Sequence, residues 1–199
     1  MVGWQKTCLS PRCLGHTILL VQSLLCLLLV YALILGGGNI LIDGCKKIGF
    51  YNYCFQNITT NDEDCHCVTE FKDLHWRTIP HGLMVSLILT YSSLVIIVMG
   101  FLTLALAHGL KEDDLWNIGL GLNVFSLVGL VLGMTSHLFL TWDQFDFSHV
   151  TPGFLALLMA IGGLCLQLCL VRRYIRLKNV WSTSKAVSRP FEDLTILVA

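Results

Sequence analysis

The stretch GFYNYC, residues 49–54, sets aromatic side chains beside a cysteine at the head of a wet segment, FQNITTNDEDCHC, residues 55–67. Phe and Tyr favour a pleated, half-buried surface, so the stretch reads as part of a small folded sheet rather than a solvated linker. Such a sheet needs something to pack on. Its neighbours in the chain, on both sides, are long apolar runs.

Of 199 residues, 55% are hydrophobic and 13% charged, with mean hydropathy +0.71 and formal net charge 0. So little charge makes a bilayer the natural solvent. The balanced charge leaves no extended basic surface for nucleic acid. The charges cluster and leave four uncharged intervals, which predict spans at residues 17–35, 80–107, 115–140 and 150–171. Each can cover roughly 30 Å of hydrocarbon at about 1.5 Å per residue. The first run follows Lys6 and Arg12 as a signal-peptide core would. It continues to Leu35, however, and Gly36-Gly37-Gly38 is a poor substitute for a small-x-small cleavage site, so a retained helix is expected.

Lys6 and Arg12 precede the first span, and Arg172, Arg173, Arg176 and Lys178 follow the fourth. The positive-inside bias then places residues 1–16 and the tail, 172–199, in the cytosol. The connection 108–114 is also inside, whereas residues 36–79 and the short loop 141–149 face outward. Asn57-Ile58-Thr59 lies in the long outer loop and matches an N-glycosylation acceptor. The plasma membrane is the expected location, with an internal secretory membrane as the alternative.

The nine cysteines sort by compartment. Cys45, Cys54, Cys65 and Cys67 fall in the outer loop, where oxidation is allowed, and four cysteines permit three pairings. Cys8 and Cys13 are juxtamembrane thiols on the reducing side and candidates for acylation. Cys26, Cys165 and Cys169 lie within spans and suit small apolar packing. Within the loop, residues 46–55 read as a strand interrupted by Gly49, residues 57–64 as a turn and residues 65–71 as a returning strand, with a first strand at 39–42.

This arrangement resembles the claudin, peripheral myelin protein 22 and epithelial membrane protein superfamily. Its signature of Gly-Leu-Trp, two residues, Cys and a later Cys is matched by Gly49, Phe50, Tyr51, Cys54 and Cys65. The tryptophan usual near the start of that outer loop has no counterpart here, and Cys45 and Cys67 exceed the usual pair. The resemblance implies an integral-membrane, left-handed four-helix transmembrane bundle carrying a small extracellular antiparallel β-sheet. It also implies a Cys54–Cys65 disulfide, with Cys45 and Cys67 left for a second bridge or a partner.

Within the spans, Gly129 and Gly133 are four apart, as are Ala156 and Ala160. Small residues at that spacing let helix backbones approach closely in lipid, so both pairs are expected as bundle contacts, with oligomer contacts as the alternative. Pro80 and Pro152 stand near span starts, where a missing N–H is tolerated, and Thr151 is positioned to cap the fourth span. His137 is an ionisable residue within a span and therefore a functional suspect, to be weighed against a hydrogen-bonded packing role. His66 between Cys65 and Cys67 lacks the opposed ligand pairs of a structural zinc site, so no metal is expected. No nucleotide loop, metalloprotease motif or serine elbow occurs, and no cofactor is expected.

A surface function follows from these readings. The leading expectation is a non-enzymatic tetraspan accessory protein that contacts membrane lipids and either another integral membrane protein or itself. It would modulate that partner's assembly, trafficking or gating. The alternative is claudin-like junctional adhesion or a barrier role; a transporter or membrane enzyme working through His137 is a third. The tail reads as flexible and rich in hydroxyls, and its terminal Ile-Leu-Val-Ala offers a carboxylate to a peptide-binding groove.

Overall fold

The computed structural model describes residues 11–36, 38–44, 46–50, 53–56, 65–68, 81–141 and 149–196; side chains are described within 13–50, at Cys54, and within 82–141 and 149–180. Four long helices follow one another: α1 (Pro11–Val30), α2 (His81–Leu110), α3 (Asp113–Leu140) and α4 (Pro152–Ile196). All four contain stretches long and apolar enough to cross a membrane. The protein is a multi-pass membrane protein built as a four-helix bundle with a small sheet at one end.

The spans are apolar around their whole circumference, so amphipathicity cannot mark the inward face. Leu20, Phe125, Phe139 and Met159 are exposed, while Gln22, Ser86, Thr90, Ser93, Asn123, Ser126 and Gln167 are completely buried. This inversion suits lipid, where polar side chains gain by finding each other inside. The buried positions recur at alternating steps of three and four. Along α2 they are Ser86, Thr90, Ser93, Ile97, Gly100, Leu104 and Ala107; along α3, Trp116, Gly119, Asn123, Ser126, Leu130, Gly133 and His137. Ile18, Gln22, Leu25 and Leu29 of α1, with Ala32 just beyond its end, follow the same rule, as do Leu157, Ala160, Leu164, Gln167, Val171 and Tyr174 of α4. A 3.5-residue repeat is what a left-handed bundle requires to keep one seam facing its neighbours.

Helices α2 and α3 form the most extensive pair. Their two-residue link contains Lys111 at φ 61°. This left-handed conformation reverses the chain tightly. The other close pairing is α1 with α4.

Past Val30 the first helix widens into a π-helical turn, Tyr31–Leu35, closed by the Gly36 N–H donating to the Tyr31 carbonyl at 2.6 Å. The Asn39 side-chain amide donates to the Gly36 carbonyl at 3.1 Å and starts the turn into the sheet. Four strands follow, β1 (Asn39–Asp43), β2 (Lys46–Gly49), β3 (Tyr53–Gln56) and β4 (Cys65–Val68), paired antiparallel in chain order. Gly44 at φ 53° stands just after β1. On its outer side β1 also bridges the segment before α4, Leu41 opposite Val150.

The register corrects the disulfide expectation. No Sγ–Sγ pair is found among the described residues, whose side chains include Cys54 but not Cys45, Cys65 or Cys67, so neither the expected Cys54–Cys65 bridge nor a Cys45–Cys67 bridge is seen there. Cys54 stands directly opposite Cys67, and Cys65 opposite Gln56. Directly opposed positions bring Cβ atoms to within about 5 Å, whereas diagonal neighbours are farther apart. The couple that the resemblance implies is therefore a diagonal one. Cys54 itself is buried and is not among the free thiols.

The segment read as a flexible tail is helical instead: α4 continues without a break to Ile196.

Candidate functional site

The junction between sheet and bundle is built on residues of the opening motif. Gly49 ends β2 so close to β1 that a Cβ there would stand 2.8 Å from the Gly38 carbonyl oxygen and 3.0 Å from the Asn39 Cα. Only glycine fits that approach without moving backbone. The Phe50 N–H donates to the same Gly38 carbonyl at 3.1 Å, and its ring drops into the helix core, 2% exposed, among Leu33, Ile40, Met134 and Phe154. Phe50 meets His137 edge to face at 4.8 Å.

His137 closes the junction from α3. Its Nε2 lies 3.0 Å from the Gly49 carbonyl oxygen. A carbonyl only accepts, so Nε2 carries the hydrogen. The Thr141 hydroxyl, one turn later, donates to the His137 carbonyl at 2.8 Å. Thr151 supplies the remaining clasp: its hydroxyl donates to the Asn39 carbonyl at 2.6 Å and accepts the Phe154 N–H at 3.2 Å, and its own N–H donates to the Ile40 carbonyl. Thr151 is thus both the N-cap of α4 and a tether for β1. Tyr91 reaches from α2 to the Leu33 carbonyl of the π-helical turn at 2.9 Å, using a group that the widened turn leaves accessible.

Below the junction runs a polar seam that the sequence reading missed. Ser86 donates to the Gly133 carbonyl at 2.6 Å, and Ser126 donates to the Ser93 carbonyl at 3.0 Å. Midway down, the Gln22 amide donates to Asn123 Oδ1 at 2.8 Å and to the Ile97 carbonyl at 3.3 Å, joining three helices. Gln167 of α4 donates to the Ile18 carbonyl of α1 at 3.0 Å. The signal in the sequence was the seven-residue repeat of small and polar residues, which a search for charge cannot see. Among the described residues, Gln22 Oε1, Asn123 Nδ2, Gln167 Oε1 and Trp116 Nε1 are buried without a hydrogen-bond partner. Each such group costs about 1–3 kcal/mol unless something else meets it.

The small residues singled out from the sequence lie at internal contacts. A Cβ on Gly129 would come within 2.5 Å of the Ser93 hydroxyl, and one on Gly133 within 2.5 Å of the Thr90 hydroxyl and 3.1 Å of the Ser86 carbonyl. Ala156 and Ala160 are buried in the same core as Leu25 and Leu29. Gly162 differs: it lies exposed on α4 with nothing within 4 Å of a built Cβ, near the exposed free thiols Cys165 and Cys169. Cys26 is half-buried and points toward the Ile97 carbonyl, its sulfur 3.9 Å away. Cys13 is half-buried in the first turns of α1. Cys8, Cys45, Asn57, most of the short outer loop and the last three residues lie outside the described residues. Cys65 and Cys67 are placed by their strand alone.

At the opposite end a second cluster gathers around Trp116. Ile18, Leu104, Ala107, Val171 and Tyr174 surround it, and its ring lies 4.2 Å from that of Tyr174. His16 and His108 meet edge to face at 4.7 Å beside it. A cavity of about 140 Å³ opens there, lined by Asp113, Trp116, Asn117, Tyr174 and Lys178 among others. Lys178 is ion-paired with Asp113, and both line the cavity. Among the described residues no three His, Cys, Asp or Glu side chains converge as a metal site would require.

The bundle interior thus combines apolar side chains with amides and hydroxyls that hydrogen-bond across helices, with its sheet clasped at one end and an aromatic cavity at the other. A family model described as the TM140 protein family matches residues 9–185, which covers all four spans and the sheet. The chain belongs to the TM140 protein family.

Proposed function

We propose that the chain is a non-enzymatic tetraspan accessory protein that docks laterally against another integral membrane protein and modulates its assembly, trafficking or gating. The observation that carries this reading is the division of small residues. Gly129, Gly133, Ala156 and Ala160 are taken up inside the bundle, while Gly162, Cys165 and Cys169 leave an open, shallow strip on the lipid-facing side of α4. Such a strip admits the close backbone approach that drives helix association in lipid. The polar seam supports the same reading, because Gln22, Ser86, Ser126 and Gln167 donate to groups on neighbouring helices, whereas a monomeric conduit would need a lumen lined by polar groups turned to the permeant.

In this proposal the protein sits in the plasma membrane with both termini cytosolic and the sheet outside. The sheet lies at the end of the bundle opposite the start of α1 and the basic stretch of α4. Distant kinship with the claudin superfamily belongs to the same proposal and rests on the shared plan of four helices and an antiparallel sheet.

The experiment is crosslinking in cells followed by purification in mild detergent, comparing wild type with Gly162→Leu and Cys165→Leu. A stoichiometric integral partner, lost in both variants at unchanged surface level, is the expected result. Recovery of only lipid and self by the wild type overturns the reading. Junctional adhesion is the alternative outcome: in cells without junction strands it would appear as enrichment at contacts and a changed paracellular resistance.

A further inference from the structure

We propose that the cavity between the first turn of α3 and the Tyr174–Lys178 turn of α4 is a binding site for the phosphate group of a membrane lipid. Three observations converge on it. Trp116 is only 1% exposed, it lines the cavity, and its indole N–H has no acceptor among the described residues. A buried donor of this kind calls for an occupant that brings an oxygen acceptor. Lys178 stands at the same cavity with three N–H donors, enough to keep Asp113 and still hold a second oxygen. The α3 N-terminus points its free first-turn amides to this end, with no side-chain cap from Glu112.

The local charge has both signs. Glu112, Asp113 and Asp114 oppose an anion, while Lys111, Arg172, Arg173, Arg176 and Lys178 favour one. The basic groups outnumber the acidic ones, and the arginines are exposed on the turns of α4 next to the cavity. Depth selects the source of the phosphate. The cavity lies where the apolar parts of α3 and α4 give way to charge, the level at which aromatic residues and lipid headgroups meet. This inference does not depend on the lateral-docking proposal, since it concerns the other end of α4 and a different class of ligand.

The test uses the full chain in nanodiscs, with Trp4, Trp76, Trp142 and Trp181 changed to Phe and the remaining indole labelled with ¹⁵N. Discs of phosphatidylglycerol are compared with discs of a galactolipid that lacks phosphate, the latter with and without inorganic phosphate. The expected result is a downfield indole N–H resonance in phosphatidylglycerol alone. Native mass spectrometry should also show retained phospholipid falling about tenfold in Lys178→Gln, in keeping with the loss of a charged hydrogen bond. An equal shift with inorganic phosphate keeps the phosphate chemistry and overturns the lipid as its source. An indole resonance indifferent to all three conditions, or full phospholipid retention by Lys178→Gln, overturns the site and leaves water as its occupant.

Discussion

Nε2 of His137 lies 3.0 Å from the carbonyl oxygen of Gly49, so a side chain from the third span holds the end of a strand in the sheet. The same histidine ring meets Phe50 edge to face. A donor, an acceptor and an apolar plug thus occur within two consecutive residues of the loop and one residue of α3. This relationship explains why an aromatic follows a glycine in a polar loop: the glycine admits close approach and the aromatic fills the hole beneath.

Replacing His137 should therefore loosen the sheet from the bundle. His137→Ala leaves the Gly49 carbonyl unmet and opens space beside Phe50, and a loss of about 1–3 kcal/mol is expected. His137→Gln, which can restore the N–H, should recover part of it. Denaturant unfolding in a fixed detergent micelle measures both; equal stability of His137→Ala and wild type would contradict the anchoring role.

Gly49→Ala tests the close approach from the other side. The added methyl meets backbone atoms that cannot rotate away, so destabilisation on the order of 1–3 kcal/mol is expected. Limited proteolysis of residues 39–56 in intact cells is a second readout, with faster cleavage in the variant.

Gly133→Ala and Gly162→Ala should separate by location. At Gly133 the new methyl faces Thr90 and the Ser86 carbonyl at close range, whereas at Gly162 it meets nothing within the chain. The first should cost about 1–3 kcal/mol and the second less than about 0.5 kcal/mol, both read from unfolding in the same detergent.

The Gln22–Asn123 contact invites a double-mutant cycle. Either single change to Leu strands a buried amide, and the pair of changes removes both, so a coupling energy of about 0.5–2 kcal/mol is expected. Additive effects of the two single variants would show that the contact holds nothing together.

Asn57 provides the check on orientation. If the sheet faces the lumen during synthesis, an endoglycosidase-sensitive mass shift should be present in the wild type and absent in Asn57→Gln. A wild-type chain without it, joined to a cytosolic accessibility tag at residue 57, would reverse the proposed topology.

The number of spans, the presence of a small sheet around GFYNYC and the capping role of Thr151 are legible without coordinates, whereas residues 46–55, read as one strand, divide into β2 and β3 paired with each other. Each legible feature depends on a local property: run length against bilayer thickness, β-propensity, or a hydroxyl before a proline-headed helix. The amino-acid sequence by itself also contains the 3.5-residue spacing of Gly, Ser, Thr, Asn and Gln along the spans, although that pattern is easily passed over when nearly every neighbour is apolar.

Only tertiary structure decided which of those groups meet. That Gln22 finds Asn123 across 101 positions of chain, that Gln167 finds Ile18 across 149, and that Cys54 faces Cys67 rather than Cys65 depend on helix rotation and strand register. Neither is encoded in a short window, because helix packing and sheet pairing are settled by contacts between distant segments. Local chemistry set what could be buried in lipid; the partners were chosen when the helices and strands came together.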